Sequence, residues 1–389
     1  VIAFALSPLG HQSRHRTIIP SKGLSMKKTL VALAALMLSA AAPVYATTDA
    51  PRLNVTATQF GDLPTGMYIG EPAGVAVNSK GHVFIFSRGN TQGPVYGSIA
   101  AQLLEFDASG KYIREIGHNN YGFGFAHTVK VDKYDNIWTT DKGTDMVVKF
   151  SPEGKVLLVL GRKQEAADAH VGGVERATPP RPPILGQFRQ VTDIAFDSHD
   201  TAFVSDGYIN SRVATFDSNG NIIGSFGEPG TGPGQLNTPH TIAIDAHDNV
   251  YVGDRGNGRI QVFDNTGKFL RILNQAADVT LPKDINAIRQ PPPPGAPPSS
   301  NKTIAPGAPW AICISPPNKN GEQFLFSSDS YPGSIYKMKL DGTVIGTIGA
   351  AGKQLGHFGD IHEMACPTEN LLYVGEELNW RVSKIVIHP

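Results

Sequence analysis

The sequence predicts an all-β chain folded as a six-bladed β-propeller, and three observations predict it. A segment of fixed internal spacing recurs along the chain. Within each copy, apolar and polar residues alternate with period two between turns rich in Asp, Asn and Gly. The last copy lacks a fourth strand, while a strand-like segment near the N-terminus has no partner of its own.

The recurrence is clearest in three segments. They run from His127-Thr-Val-Lys-Val-Asp to Asp141, from Thr192-Asp-Ile-Ala-Phe-Asp to Asp206, and from His240-Thr-Ile-Ala-Ile-Asp to Asp254, each over an interval of 14 residues. Each continues through a polar turn into a third alternating run: Met146-Val-Val-Lys-Phe, Arg212-Val-Ala-Thr-Phe or Arg259-Ile-Gln-Val-Phe. A short fourth strand then ends at Gly161, Gly227 or Leu273. This is the pattern of NHL-type repeats. Residues 74–117 form a unit before these three, 310–349 a unit after them, and 362–387 a final unit of three strands. The segment 53–60 supplies the missing strand, so an N-terminal strand completes the last blade and the ring closes without a long exposed edge.

Composition agrees and narrows the partners. Gly (42) and Pro (29) are abundant and charged residues only 17%, as many tight turns require. Formal net charge is zero with no extended basic run, which excludes the electrostatic footprint of a nucleic-acid or anionic-membrane binder. Met26-Lys27-Lys28, the apolar run 29–42 and Val44-Tyr45-Ala46 read as a secretory signal over 26–46. The expectation is a mis-assigned upstream extension over 1–25 and a monomeric propeller over 47–389, secreted or periplasmic. Two insertions, 162–187 and 274–308, carry proline runs that cannot join a ladder and read as surface loops. Cys313 and Cys366 fall on first strands of neighbouring blades but one register apart. Their side chains should face opposite ways, and no bridge is expected.

Chemistry emerges when the six inner strands are aligned. The positions that open them are Ala73, His127, Thr192, His240, Trp310 and His362. One histidine there is more often a hydrogen-bonded channel residue than a ligand. Three on alternate blades converge on the axis with approximate three-fold symmetry, and three imidazoles with an open fourth position form a catalytic zinc site. A second layer follows in the turn after the second strand. Arg88 and Arg255 come one residue after the repeat's acidic position, Tyr208 two after it. Two guanidiniums can hold a carboxylate, and a tyrosine near cations and a metal can act as a base. The plainer reading has the arginines capping turns. Asp141, Asp206, Asp254 and Asp329 recur once per blade and are assigned to turn hydrogen bonding.

Tyr208 sits in Val-Ser-Asp-Gly-Tyr-Ile-Asn-Ser-Arg, Arg255 in Asp-Arg-Gly-Asn-Gly-Arg-Ile-Gln-Val-Phe, Arg88 in Ile-Phe-Ser-Arg-Gly, and His240 follows Pro239. Together these stretches, from about Pro72 to Ile387, resemble the peptidyl-α-hydroxyglycine α-amidating lyase family, a group of six-bladed propellers. The resemblance implies zinc on His127, His240 and His362, with Tyr208, Arg88 and Arg255 as catalytic residues around it. It implies cleavage of the N–C(OH) bond of a small-molecule or peptide substrate ending in an α-hydroxyglycine-like group, giving an amide and glyoxylate. It also implies a structural calcium on the backbone carbonyls of Val75 and Val129 and on Glu363, where the family usually has Asp. Two other functions stay open: a metal-dependent lactonase or hydrolase of the propeller class, and a non-catalytic NHL propeller that binds protein or glycan through its rim loops.

Overall fold

The structure is a computed structural model and describes residues 50–89, 101–163, 182–275, 303–330 and 332–389. The expected signal segment, the upstream extension and most of both insertions lie outside these residues.

Among the described residues six four-stranded antiparallel sheets follow one another along the chain, five of them with their strands in sequence order and the sixth completed by the N-terminal strand. Blade 1 begins with strand Pro72–Val77, blade 2 with Ala126–Val131, blade 3 with Asp193–Phe196, blade 4 with Pro239–Ile244, blade 5 with Ile312–Ile314 and blade 6 with Ile361–Thr368. The N-terminal strand Val55–Phe60 pairs antiparallel with Arg381–Ile387, Val55 opposite Ile387 and Phe60 opposite Val382. The ring therefore closes as expected: the first strand completes the last blade, so first and last units cannot separate without breaking a sheet.

The core is the set of seams between blades. One apolar cluster joins Phe84 and Phe86 of blade 1 to Val129 and Phe150 of blade 2. Others join Trp138 to Val204, Phe203 to Val252, and Tyr251 to Leu325. Alternation along each strand supplies these faces. Near the axis the inner strands come too close for side chains: a Cβ on Gly74 would lie 2.6 Å from the Val129 amide. The once-per-blade acid does the structural work assigned to it. Asp141 accepts the Gly124 amide at 2.9 Å, Asp206 that of Arg189 at 2.8 Å, Asp254 that of Asn237 at 2.6 Å, and Asp329 that of Gly307 at 2.9 Å. Each thereby fixes the segment that leads into its own blade's inner strand.

The cysteines overturn an expectation. Cys313 and Cys366 form a disulfide across blades 5 and 6, with Cα atoms 6.1 Å apart. Alternation is kept through Cys366: Met364 and Cys366 face the seam with blade 5, and Ala365 faces the other way. Neighbouring blades meet through opposite faces of their sheets, as Ala243 of blade 4 meets Ile312 and Ile314 of blade 5. Being one register apart therefore puts Cys313 and Cys366 in the same seam.

Candidate metal centre and its rim

His127, His240 and His362 come together. Their candidate ligand nitrogens all lie within 4.8 Å of one another, a wider limit than the roughly 3–4 Å that tetrahedral ligands of one ion require. A backbone device brings them there. Pairing slips between Ala126 and Thr128, between Pro239 and Thr241, and between Ile361 and Glu363, so each histidine is the extra residue of a bulge. A bulge re-aims a side chain out of the alternating pattern, here from the sheet face toward the axis.

The other ring nitrogen is tied down in each case. Nδ1 of His127 donates to the Thr192 carbonyl at 2.6 Å, that of His240 to the Trp310 carbonyl at 2.7 Å, and that of His362 to the Ala73 carbonyl at 2.8 Å. The acceptors are the residues that open the three blades without histidine. Donation from Nδ1 selects the tautomer whose Nε2 lone pair is free for a metal. All three imidazoles are held well below their ordinary pKa. Burial is the first cause in each, followed by His362 for His127, Arg255 for His240 and Arg88 for His362. They are neutral at pH 7, the state a ligand needs.

Tyr208 reaches the same point. Its hydroxyl lies 3.3 Å from Nε2 of His127 and 3.1 Å from Nε2 of His240. Burial pushes its phenol up, but Arg255, Lys142 and Arg88 outweigh burial, and the net shift is downward.

The two arginines are not equivalent. The Arg88 guanidinium stacks 4.1 Å from the Phe125 ring centroid and pairs with Glu377 at 2.5 Å and Glu71 at 3.5 Å. It also donates to the Ala126 carbonyl at 3.0 Å and lies 3.3 Å from Nε2 of His362. Arg255 lies between Trp310 and Tyr208, 4.4 and 5.3 Å from their ring centroids. Its Nε and Nη1 are buried without a hydrogen-bond partner among the described residues. Unmet buried guanidinium nitrogens beside the three-histidine cluster are suited to an anionic ligand.

Sequence reasoning missed Lys142 and Glu377. The Lys142 ammonium sits 3.8 Å over the Tyr208 ring, and Glu377 lies 3.6 Å from Nε2 of His362. The signal was available: both come one residue after the repeat's acid, Asp141 and Glu376, the register that singled out Arg88 and Arg255. The residues expected to hold calcium are buried on inner strands, Val75 in blade 1, Val129 in blade 2 and Glu363 in blade 6. The Glu363 carboxylate already accepts the Lys130 ammonium at 2.8 Å and the Thr128 hydroxyl.

Similarity to known proteins agrees with this architecture. Residues 236–263 match the NHL repeat model. Over 336 residues, 80% of this chain, the sequence is 27% identical to a rat peptidylglycine alpha-amidating monooxygenase, and the match covers 30% of that protein. It is 28% identical over half its length to a probable peptidyl-alpha-hydroxyglycine alpha-amidating lyase of Caenorhabditis elegans, covering 56% of it. The chain thus spans less than two thirds of either relative. A virginiamycin B lyase from Staphylococcus aureus shares the fold, at 11% identity and TM-score 0.51, over 87% of this chain and all of that one. The fold is a six-bladed β-propeller, one stretch of which matches the NHL repeat. Its sequence is similar to peptidyl-alpha-hydroxyglycine alpha-amidating lyases of worm and fly.

Proposed function

We propose that this chain is a zinc-dependent lyase that cleaves the N–C(OH) bond of an α-hydroxyglycine or amidoglycolate-type substrate, releasing an amide and glyoxylate. The observation that carries the proposal is the meeting of three neutral, tautomer-fixed imidazoles with the Tyr208 hydroxyl, 3.1 and 3.3 Å from two of them. Three histidine nitrogens with an open position suit zinc, which when bound would polarise the substrate's hydroxyl as a Lewis acid.

The chain's own groups supply the rest. The unmet guanidinium nitrogens of Arg255 hold the substrate carboxylate through charge-assisted hydrogen bonds. Tyr208, as phenolate, takes the hydroxyl proton. The O–H electron pair becomes the second bond of the new carbonyl, and the C–N pair leaves with nitrogen, which water protonates to the amide. Arg88, held by Glu377 and Glu71, keeps cationic charge beside His362 and Tyr208. The leader-like sequence 26–46 supports export to a secreted or periplasmic location, with the chain acting there as a monomer on a small molecule or peptide end.

Release of glyoxylate from a model N-acyl-α-hydroxyglycine tests the reading. Zinc-loaded protein should release it and chelated protein should not. Zinc-loaded protein that releases none would overturn the assignment.

A further inference from the structure

One layer along the axis from the histidines lies a second buried polar cluster that the lyase chemistry does not use. Its centre is Lys130 of blade 2, whose ammonium lies 2.8 Å from Glu363 of blade 6 and 3.5 Å from Asp193 of blade 3. Both carboxylates accept further donors from the chain. Glu363 also accepts the Thr128 hydroxyl and the Met364 amide at 3.2 Å. Asp193 accepts the Ile194 amide at 2.8 Å, the Ile242 amide at 2.9 Å and the Thr241 hydroxyl at 3.0 Å. Thr241 in turn accepts the Ile312 amide of blade 5 at 3.1 Å. One connected network thereby links the inner strands of blades 2 to 6.

This arrangement does not fit the calcium ion that the resemblance implies on Val75, Val129 and Glu363. Calcium takes six to eight oxygen ligands, with carboxylate lone pairs turned toward it. The oxygens of Glu363 face an ammonium, a hydroxyl and an amide, which are donors and not ligands. A divalent ion on Glu363 would also stand beside the Lys130 ammonium in a buried, weakly screened place, where like charges repel strongly. We infer that Lys130 is the cation of the propeller axis: its ammonium takes the place of a structural calcium, binds the inner strands of blades 2, 3 and 6 together, and makes the fold independent of calcium.

The test uses the full chain with its zinc level held constant. Calcium content is measured after dialysis into calcium-free buffer, and the thermal midpoint is recorded with and without about 5 mM calcium, enough to fill even weak extracellular sites. Wild type should retain far less than one calcium per chain, and its midpoint should not move with calcium. Lys130→Ser, which leaves two buried carboxylates without their cation, should lower the calcium-free midpoint by roughly 5–10 °C. One calcium per wild-type chain, or a midpoint that rises by several degrees with calcium, overturns the inference. So does a Lys130→Ser variant that keeps the wild-type midpoint in calcium-free buffer. If that variant does not fold, the wild-type measurements decide alone.

Discussion

The layer of His127, His240 and His362 and the layer of Thr128, Lys130, Asp193, Thr241 and Glu363 stand on the same inner strands, yet they satisfy their polar atoms in opposite ways. In the second, every charge meets a partner from this chain, and the bonds run from blade to blade. In the first, each Nδ1 is tied to a neighbouring blade while the three Nε2 atoms converge, and Arg255 beside them keeps two nitrogens unmet. Polar groups closed on one another hold a ring together. Polar groups held rigidly and left open await something from outside. The difference separates a structural layer from a functional one at a distance of one residue.

Breaking the open layer should have the largest effect. His127→Ala, His240→Ala and His362→Ala should each cut metal affinity by more than about a hundredfold, since losing even an outer-shell partner typically costs ten- to a hundredfold. Turnover should fall to background while the circular dichroism of the propeller is unchanged. Bound metal, measured by elemental analysis, checks this; a variant that keeps its metal would remove that histidine from the set. Tyr208→Phe removes one hydroxyl and no ring. Folding and metal content should survive, and glyoxylate release should fall by roughly a hundred- to ten-thousand-fold. Full activity in that variant would exclude tyrosine as the base.

The arginines sharpen the contrast within a single rim. Arg255→Ala should reduce kcat/KM by roughly 10- to 100-fold, the value of lost charge-assisted bonds to a substrate carboxylate, with little change in stability. Arg88→Ala should act differently, because it strands Glu377 beside His362. Its signature is a loss of about 3 kcal/mol in stability, partly recovered in Arg88→Ala/Glu377→Ala. Equal behaviour of the two single variants in urea unfolding and in KM would refute the division of labour.

The parts of this design that were legible in the sequence are those that repeat. The 14-residue interval and period-two alternation are local, and they suffice for six blades and for Val55–Phe60 as the closing strand. The histidines were legible because three fall at one register of that repeat. Their bulges were not, because a slipped pairing changes the backbone and not the residue types. The expectation for Cys313 and Cys366 failed for a different reason: a seam joins opposite faces of adjacent sheets, so residues one register apart meet across it. Lys142 and Glu377 share the register of Arg88 and Arg255, but a lysine or glutamate in a polar turn reads equally well as a solvated charge. Lys130 and Glu363 lie 233 positions apart, and nothing in either local segment announces their contact.

The smallest effect on activity should come from the disulfide, which touches neither layer. Cys313 and Cys366 bridge the seam between blades 5 and 6, closing a loop with a sequence separation of 53 residues. A loop of that size constrains the unfolded chain enough to stabilise the fold by about 2–4 kcal/mol. The closing strand Val55–Phe60 already links the ring's two ends by backbone pairing, so removing the bridge should leave the blades assembled. Cys313→Ser/Cys366→Ser should therefore lower the unfolding free energy by that amount and leave kcat and metal content unchanged. Thiol titration of unfolded wild type gives an independent check: without reductant it should show no free thiol, since the chain has only these two cysteines. Two free thiols in protein recovered from its native compartment would remove the bridge. They would also count against an exported location, because a disulfide of this kind persists where the surroundings are oxidising.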